Sequence, residues 1–251
     1  MELIAGSAVL TAVAACNRDR LLTFVTRSHG GVRLFARRPA QRSPGTVYLD
    51  PLQGGELVFL LPGEGGRARL HSFVPQRVWP GIRADLGRTL QALAFLELVN
   101  ATLTEGEPQA EVFDLLVRFL NRLEDAPRPG ITRIAASLRL LALAGFTPSL
   151  SACAVCGGPA DPRRGGQFAP DAGGIVCRDC LARERRRCLS LGAAALGFLQ
   201  RAASLPEARL QRLRVPEAVE REASRALDTF VEACTGARPR CGAAIERVEA
   251  V

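Results

Sequence analysis

The sequence predicts an α+β chain: a small closed β-barrel first, then an α-helical domain carrying a four-cysteine insertion. Three observations predict it. The first 80 residues hold short β-branched and aromatic runs divided by Gly and Pro. Past Pro80-Gly81, apolar residues recur every three or four positions. Two Cys-x-x-Cys pairs then stand at 153–156 and 177–180. Short punctuated strands suit a small barrel, the three-to-four period suits packed helices, and paired cysteines at that separation suit a metal.

The elements follow in order. "LIAGSAVLTAVAAC" is apolar, but only Met1-Glu2 precede it. A secretory leader needs a positive start, so 7–14 reads as the first strand. "LLTFVT" (21–26) and "GVRLFAR" (31–37) flank the turn-like "RSHG". "ELVFLL" (56–61), the breaker "PGEGG" and "ARLHSFVP" complete about five strands. Helices are expected over 82–103, 110–123 and 131–146, with breakers at 105–108 and 127–130. Helical pattern resumes at 189–205 and 216–234, with Pro216 as a first helical residue. The last dozen residues are expected to fray. The boundaries implied are a barrel over 1–80, a helical domain in two parts (81–152 and 189–251), and the cysteine segment over 153–188.

Composition narrows the function. At 251 residues and 47% hydrophobic, the chain has enough apolar content for a sizeable core, and no run reaches the roughly 18 apolar residues of a membrane span. The net charge of +8 comes from 33 basic residues, all arginine. Residues 1–81 hold ten Arg against five acids, and 153–188 hold seven against four. That excess points to an anionic polymer, with guanidinium as the phosphate donor. With no leader, a cytoplasmic chain is expected, whose reduced cysteines are free to bind metal.

Cys153, Cys156, Cys177 and Cys180 form C-x2-C-x20-C-x2-C. Two tight turns of two thiolates each can supply a tetrahedral zinc site. Gly157-Gly158 and Gly173-Gly174 let the backbone fold close to the sulfurs, and Arg163, Arg164 and Arg178 offset its charge. Four thiolates close the coordination sphere, so the expected role is structural rather than catalytic. Two disulfides or a redox pair are the alternatives. Cys16, Cys188, Cys234 and Cys241 receive no role.

Alternation along "GVRLFARR" sets Arg33, Phe35 and Arg37 on one side of a strand and Val32, Leu34 and Ala36 on the other. The second set reads as core. The first, continued by Arg38 and Arg42 and extended by Arg18, Arg20 and Arg27, reads as a basic surface with a base-stacking ring for nucleic acid. The alternative turns Phe35 inward and leaves the arginines as solvating charge. Trp79 reads as a packing residue.

This order of parts, and its local wording, resembles the RecO family of bacterial recombination mediators. The stretches that carry the resemblance are "RDRLLTFVTRSHGGVRLFARRPAQRSPG", "LGRTLQALAFLELVNATL", "EVFDLLVRFLNRL", "SLRLLALAGFTPSLSACAVCGG" and "GGIVCRDC". It runs from about residue 7 to 200, and its most specific part leads from Ala-Gly-Phe-Thr-Pro into the first cysteine pair. The resemblance implies an N-terminal OB-fold that binds single- and double-stranded DNA and anneals complementary strands. It also implies contact with the acidic tail of single-strand-binding protein, and work with RecR to load RecA. The family's basic segment maps onto Arg37, Arg38 and Arg42, and its lysines are absent here. Not every member keeps four cysteines. Two rivals remain: a zinc-ribbon nuclease, which would need clustered carboxylates where the acids here scatter, and a protein-interaction module with incidental DNA affinity.

Overall fold

A computed structural model describes residues 2–16, 19–37, 49–61, 67–159, 165–183, 187–237 and 240–248. Two compact units divide the chain: Met1–Ala84 with Leu103–Glu124, and Asp85–Thr102 with Asp125–Val251.

The first unit is built on five strands: β1 (Glu2–Cys16), β2 (Asp19–Thr26), β3 (Gly30–Arg37), β4 (Gln53–Leu61) and β5 (Arg69–Val78). They close in the order β1-β2-β3-β5-β4, with β4 returning to β1 and β3 meeting β5 in parallel, as in an OB-fold. β1 pairs with both neighbours; its register on β2 shifts between Leu10 and Ala12, an irregularity that bends a strand around a small barrel. The strand period of two sends Leu10, Leu22, Phe24, Leu34, Leu57 and Phe59 inward, where all are fully buried. The Phe73 ring tilts against Phe24 at 5.1 Å.

The barrel does not stand alone. After α1 (Pro80–Ala84), α2 (Leu86–Thr102) belongs to the second unit, and α3 (Ala110–Leu123) returns to lie against β2. α3 turns Phe113, Leu116, Phe119, Leu120 and Leu123 inward and secures its polar edge by hydrogen bonds. Trp79, 3% exposed, donates its indole N–H to Asn121 Oδ1 (3.0 Å), as Arg77 also does (3.1 Å). The first N–H groups of α1, on Gly81 and Ile82, donate to the Glu124 carboxylate at 2.9 and 3.2 Å, satisfying donors that a helix start leaves open. Between α2 and α3 the chain crosses the β2–β3 hairpin: Gly31 N–H donates to the Thr104 carbonyl and Gly106 N–H to that of Gly31. Gly30 (φ 57°) must be glycine, because a Cβ there would strike the Glu107 carbonyl oxygen.

In the second unit α4 (Pro129–Leu143) is the central helix, packed by α2 and by α6 (Ala193–Ser204) and α8 (Glu217–Thr235). It is buried on nearly every side, including Arg133 at 3% exposure. Arg133 is matched by Gln91 Oε1 (2.6 Å), Asp228 Oδ1 (2.9 Å) and Ser224 Oγ. α7 (Glu207–Leu210) joins α6 to α8. Residues 189–191, expected to open a helix, are instead strand β8 (Leu189–Leu191), because they pair with the edge of β6 (Gly166–Ala169). The last dozen residues, expected to fray, hold α9 (Arg240–Val248), whose first N–H groups, on Arg240 and Cys241, donate to Glu97 Oε2 at 2.9 and 3.1 Å. Among the described residues no helix is long and apolar enough to cross a membrane.

Candidate metal centre and nucleic-acid face

The cysteines converge because two different turns face each other. Cys153 begins a tight turn in which Gly157 N–H donates to its carbonyl (2.9 Å) and its own N–H donates to the Gly158 carbonyl (2.7 Å). Gly157 takes φ 73°, which closes that turn. Cys177 follows β7 (Gly174–Val176), and Cys180 lies in the first turn of α5 (Arg178–Arg183). Ala154 N–H donates to the Ile175 carbonyl at 2.7 Å and joins the two turns. The small sheet β7-β6-β8 supports them, and Phe168 of β6 meets Phe230 of α8 edge-on at 6.0 Å.

All four Sγ atoms lie within 4.8 Å of one another. Cys156 and Cys177 are 3.8 Å apart. A tetrahedral ion with bonds of about 2.3 Å requires sulfurs about 3.8 Å apart, whereas a disulfide requires about 2 Å. The set is therefore a thiol cluster fitted to a metal and not a pair of bridges; all four cysteines are free. Burial opposes ionisation of Cys153, but N–H groups of Cys156, Cys177 and Val155 outweigh it and hold its thiol at about 6. Cys180 is pushed up to about 12, first by the Cys177 thiol and then by burial. One ligand is thus ready as thiolate, and another keeps its proton until a cation displaces it. Cys188 packs beside the cluster but is outside the converging set. Among the described residues no other group of three or more His, Cys, Asp or Glu donors converges.

On the barrel, β3 alternates as its sequence implies. Val32 and Leu34 are buried, Ala36 packs against the core, Arg33 is exposed, and Phe35 is half-buried outside the core cluster. Arg37 ends the strand opposite Asp19, its side chain outside the described set. Arg18, Arg38 and Arg42 also lie outside the described residues. Arg27 and Arg33 are exposed but ion-paired, with Asp114 at 3.1 Å and Glu105 at 2.8 Å. Arg20 stands opposite Ala36, so it shares the side of Leu22 and Phe24 at the barrel's end and not the side of Arg33.

Sequence reasoning missed two residues here. Arg69 of β5 is the parallel partner of Phe35, and the Arg67 guanidinium lies over the Phe35 ring, 4.9 Å from its centroid. The sequence does show two arginines at 67 and 69, but β5 begins at Arg69, so strand alternation does not place Arg67.

Comparison with known proteins agrees with this architecture. The family model described as Recombination protein O C terminal matches residues 83–240. The DNA repair protein RecO of Pelobacter propionicus is 36% identical over 179 residues, which cover 70% of this chain and 71% of the relative. That of Anaeromyxobacter dehalogenans is 36% identical over 244 residues, 92% of this chain and 90% of the relative. That of Desulforudis audaxviator is 34% identical over 232 residues, 89% and 88% of the two chains. An OB-fold barrel, a helical unit holding a four-cysteine cluster, and relatives that match across most of their length lead to one conclusion: this chain belongs to the RecO family of DNA repair proteins.

Proposed function

We propose that the protein is a non-enzymatic DNA-binding protein of recombinational repair. It binds single- and double-stranded DNA, anneals complementary strands and, with RecR, helps load RecA onto DNA coated by single-strand-binding protein. It works in the cytoplasm, where the DNA is. The observation that carries this reading is the outward side of β3, where Arg33 is exposed and Phe35 stands in register with Arg69 of β5. OB-folds take oligonucleotides on the face formed by their second and third strands. Annealing needs no reacting group: cationic side chains neutralise two phosphate backbones and leave base edges free to pair.

Arg33, Arg37, Arg38 and Arg42 hold phosphates in this reading, with Arg18 and Arg27 at the margin; Arg20, on the other side of the sheet at the barrel's end, reaches DNA only around that end. Arg33 and Arg27 exchange Glu105 and Asp114 for phosphate when DNA binds. The cysteine cluster holds one zinc ion, whose role is structural because four thiolates leave it no open position. The acidic tail of single-strand-binding protein meets the helical unit.

Reversing charge at Arg37 and Arg38 tests the face. Binding of a labelled single strand should weaken, and the slope of log affinity against log salt should flatten by about 0.7 for each phosphate that is no longer neutralised. Unchanged affinity and slope would sink the assignment. Annealing of complementary strands, with and without single-strand-binding protein, tests the activity; magnesium-dependent cleavage by pure protein would replace it with a nuclease.

A further inference from the structure

The closed barrel brings to β3 a pair of arginines that lie more than thirty positions away in the chain. Phe35 N–H donates to the Ala68 carbonyl at 3.1 Å, and Phe35 and Arg69 are register partners. The backbone on both sides of Ala68 is therefore tied to β3. The Arg67 side chain is exposed, and its guanidinium rests on the Phe35 ring at 4.9 Å. Arg27 and Arg33 have carboxylate partners, whereas neither Arg67 nor Arg69 has one among the described residues.

We infer that Phe35 is a positioning residue for Arg67, which with Arg69 forms a preset phosphate clamp, and that Phe35 is not a base-stacking platform. The inference rests on reading the β3 face as a DNA surface. A base could stack on the covered face of the ring only by displacing the guanidinium. A guanidinium lying against an aromatic face keeps its edge N–H donors free, and the ring's negative face holds the cation in place. Anchoring the backbone at Ala68 and the side chain at Phe35 removes much of the freedom that a long arginine would otherwise lose on meeting a phosphate. The clamp recognises a phosphodiester backbone without regard to the base attached.

A double-mutant cycle on the full chain separates the two roles. The variants are Arg67→Ala, Phe35→Ala, the milder Phe35→Leu, and Arg67→Ala/Phe35→Ala, each checked for a wild-type thermal melt. The probes are a thymidine oligonucleotide and a strand of equal length carrying abasic sites throughout its centre. Arg67→Ala should weaken binding about fivefold on both probes and flatten the salt slope by about 0.7. Phe35→Ala and Phe35→Leu should weaken both probes alike, and Phe35→Ala should add little in the Arg67→Ala background.

A loss at Phe35 confined to the base-bearing strand, or one fully additive with Arg67→Ala, would overturn the positioning role and restore stacking. Wild-type affinity in Arg67→Ala while Arg37→Glu weakens binding would overturn the clamp and leave the DNA face standing. Wild-type affinity in every barrel variant, Arg37→Glu included, would overturn both.

Discussion

Arg133 carries a full charge on the most enclosed helix of the protein, and its three partners come from two other helices. Removing one member of a buried ion pair leaves the other uncompensated, which costs about 3–5 kcal/mol. Asp228 keeps some solvent contact, with its side chain 21% exposed, so the lower end applies. Arg133→Ala should therefore lose about 3 kcal/mol in urea unfolding, and Arg133→Met with Asp228→Leu should recover most of it. A single-variant loss below about 1 kcal/mol would show the network to be dispensable. The cysteines give a second prediction at this scale. Metal binding displaces protons that the free site holds, so uptake of zinc should acidify a weakly buffered solution. Cys153 (about 6) is already ionised at neutral pH, while Cys180 (about 12) is not. Below about pH 6 Cys153 gains a proton too, so zinc affinity, falling as pH falls, should fall more steeply by about one proton. A zinc affinity independent of pH would contradict the thiol assignment. Residue by residue, the site was partly legible: the alternation of 32–36 and the four-cysteine spacing can be read directly. Arg67 could not be, because its nearness to Phe35 depends on a strand pairing that no local pattern announces.

At the scale of elements, the β2–β3 hairpin illustrates how a turn can be governed from outside. Gly30 supplies a left-handed φ of 57°, and the chain at 104–107 passes directly over it. Gly30→Ala meets both a strained backbone and the Glu107 carbonyl, so a loss of about 2 kcal/mol or more is expected in chemical denaturation. A substitution that leaves the midpoint unmoved would mean that the crossing segment gives way easily. Periods of two and of three to four residues made the strands and the larger helices legible, since each reflects one face turned inward. They could not show that α3 packs on the barrel: its apolar stripe looks the same whichever surface covers it. Nor could they separate β8 from the helix that follows, since three residues are too few to display a period. α9 escaped notice because its first N–H groups depend on Glu97, about 140 positions earlier.

For the whole molecule, the cysteine cluster and strand β3 belong to different compact units. Cys177→Ser should therefore abolish zinc uptake and lower the melting temperature while single-strand affinity stays within about twofold of wild type. A stable, zinc-free variant without DNA binding would reverse that ranking and bring the cluster into the working surface. The order of units along the chain was legible in outline, as strand punctuation gives way to helical periodicity near Pro80. That the second unit begins at Asp85, yields to the first over Leu103–Glu124 and then resumes is a property of three-dimensional packing alone.

That interleaving has a consequence for the protein's birth on the ribosome. The last barrel strand ends at Val78, yet the groups that receive the Trp79 indole and the first donors of α1 are on Asn121 and Glu124. A nascent chain emerges in order, so the barrel waits for more than forty further residues before its polar seams can close. During that interval α2 has emerged, while α4, the helix at the centre of its unit, has yet to emerge. The timetable of synthesis thus makes α3 the step that completes the barrel unit, and the helical unit can finish only after it.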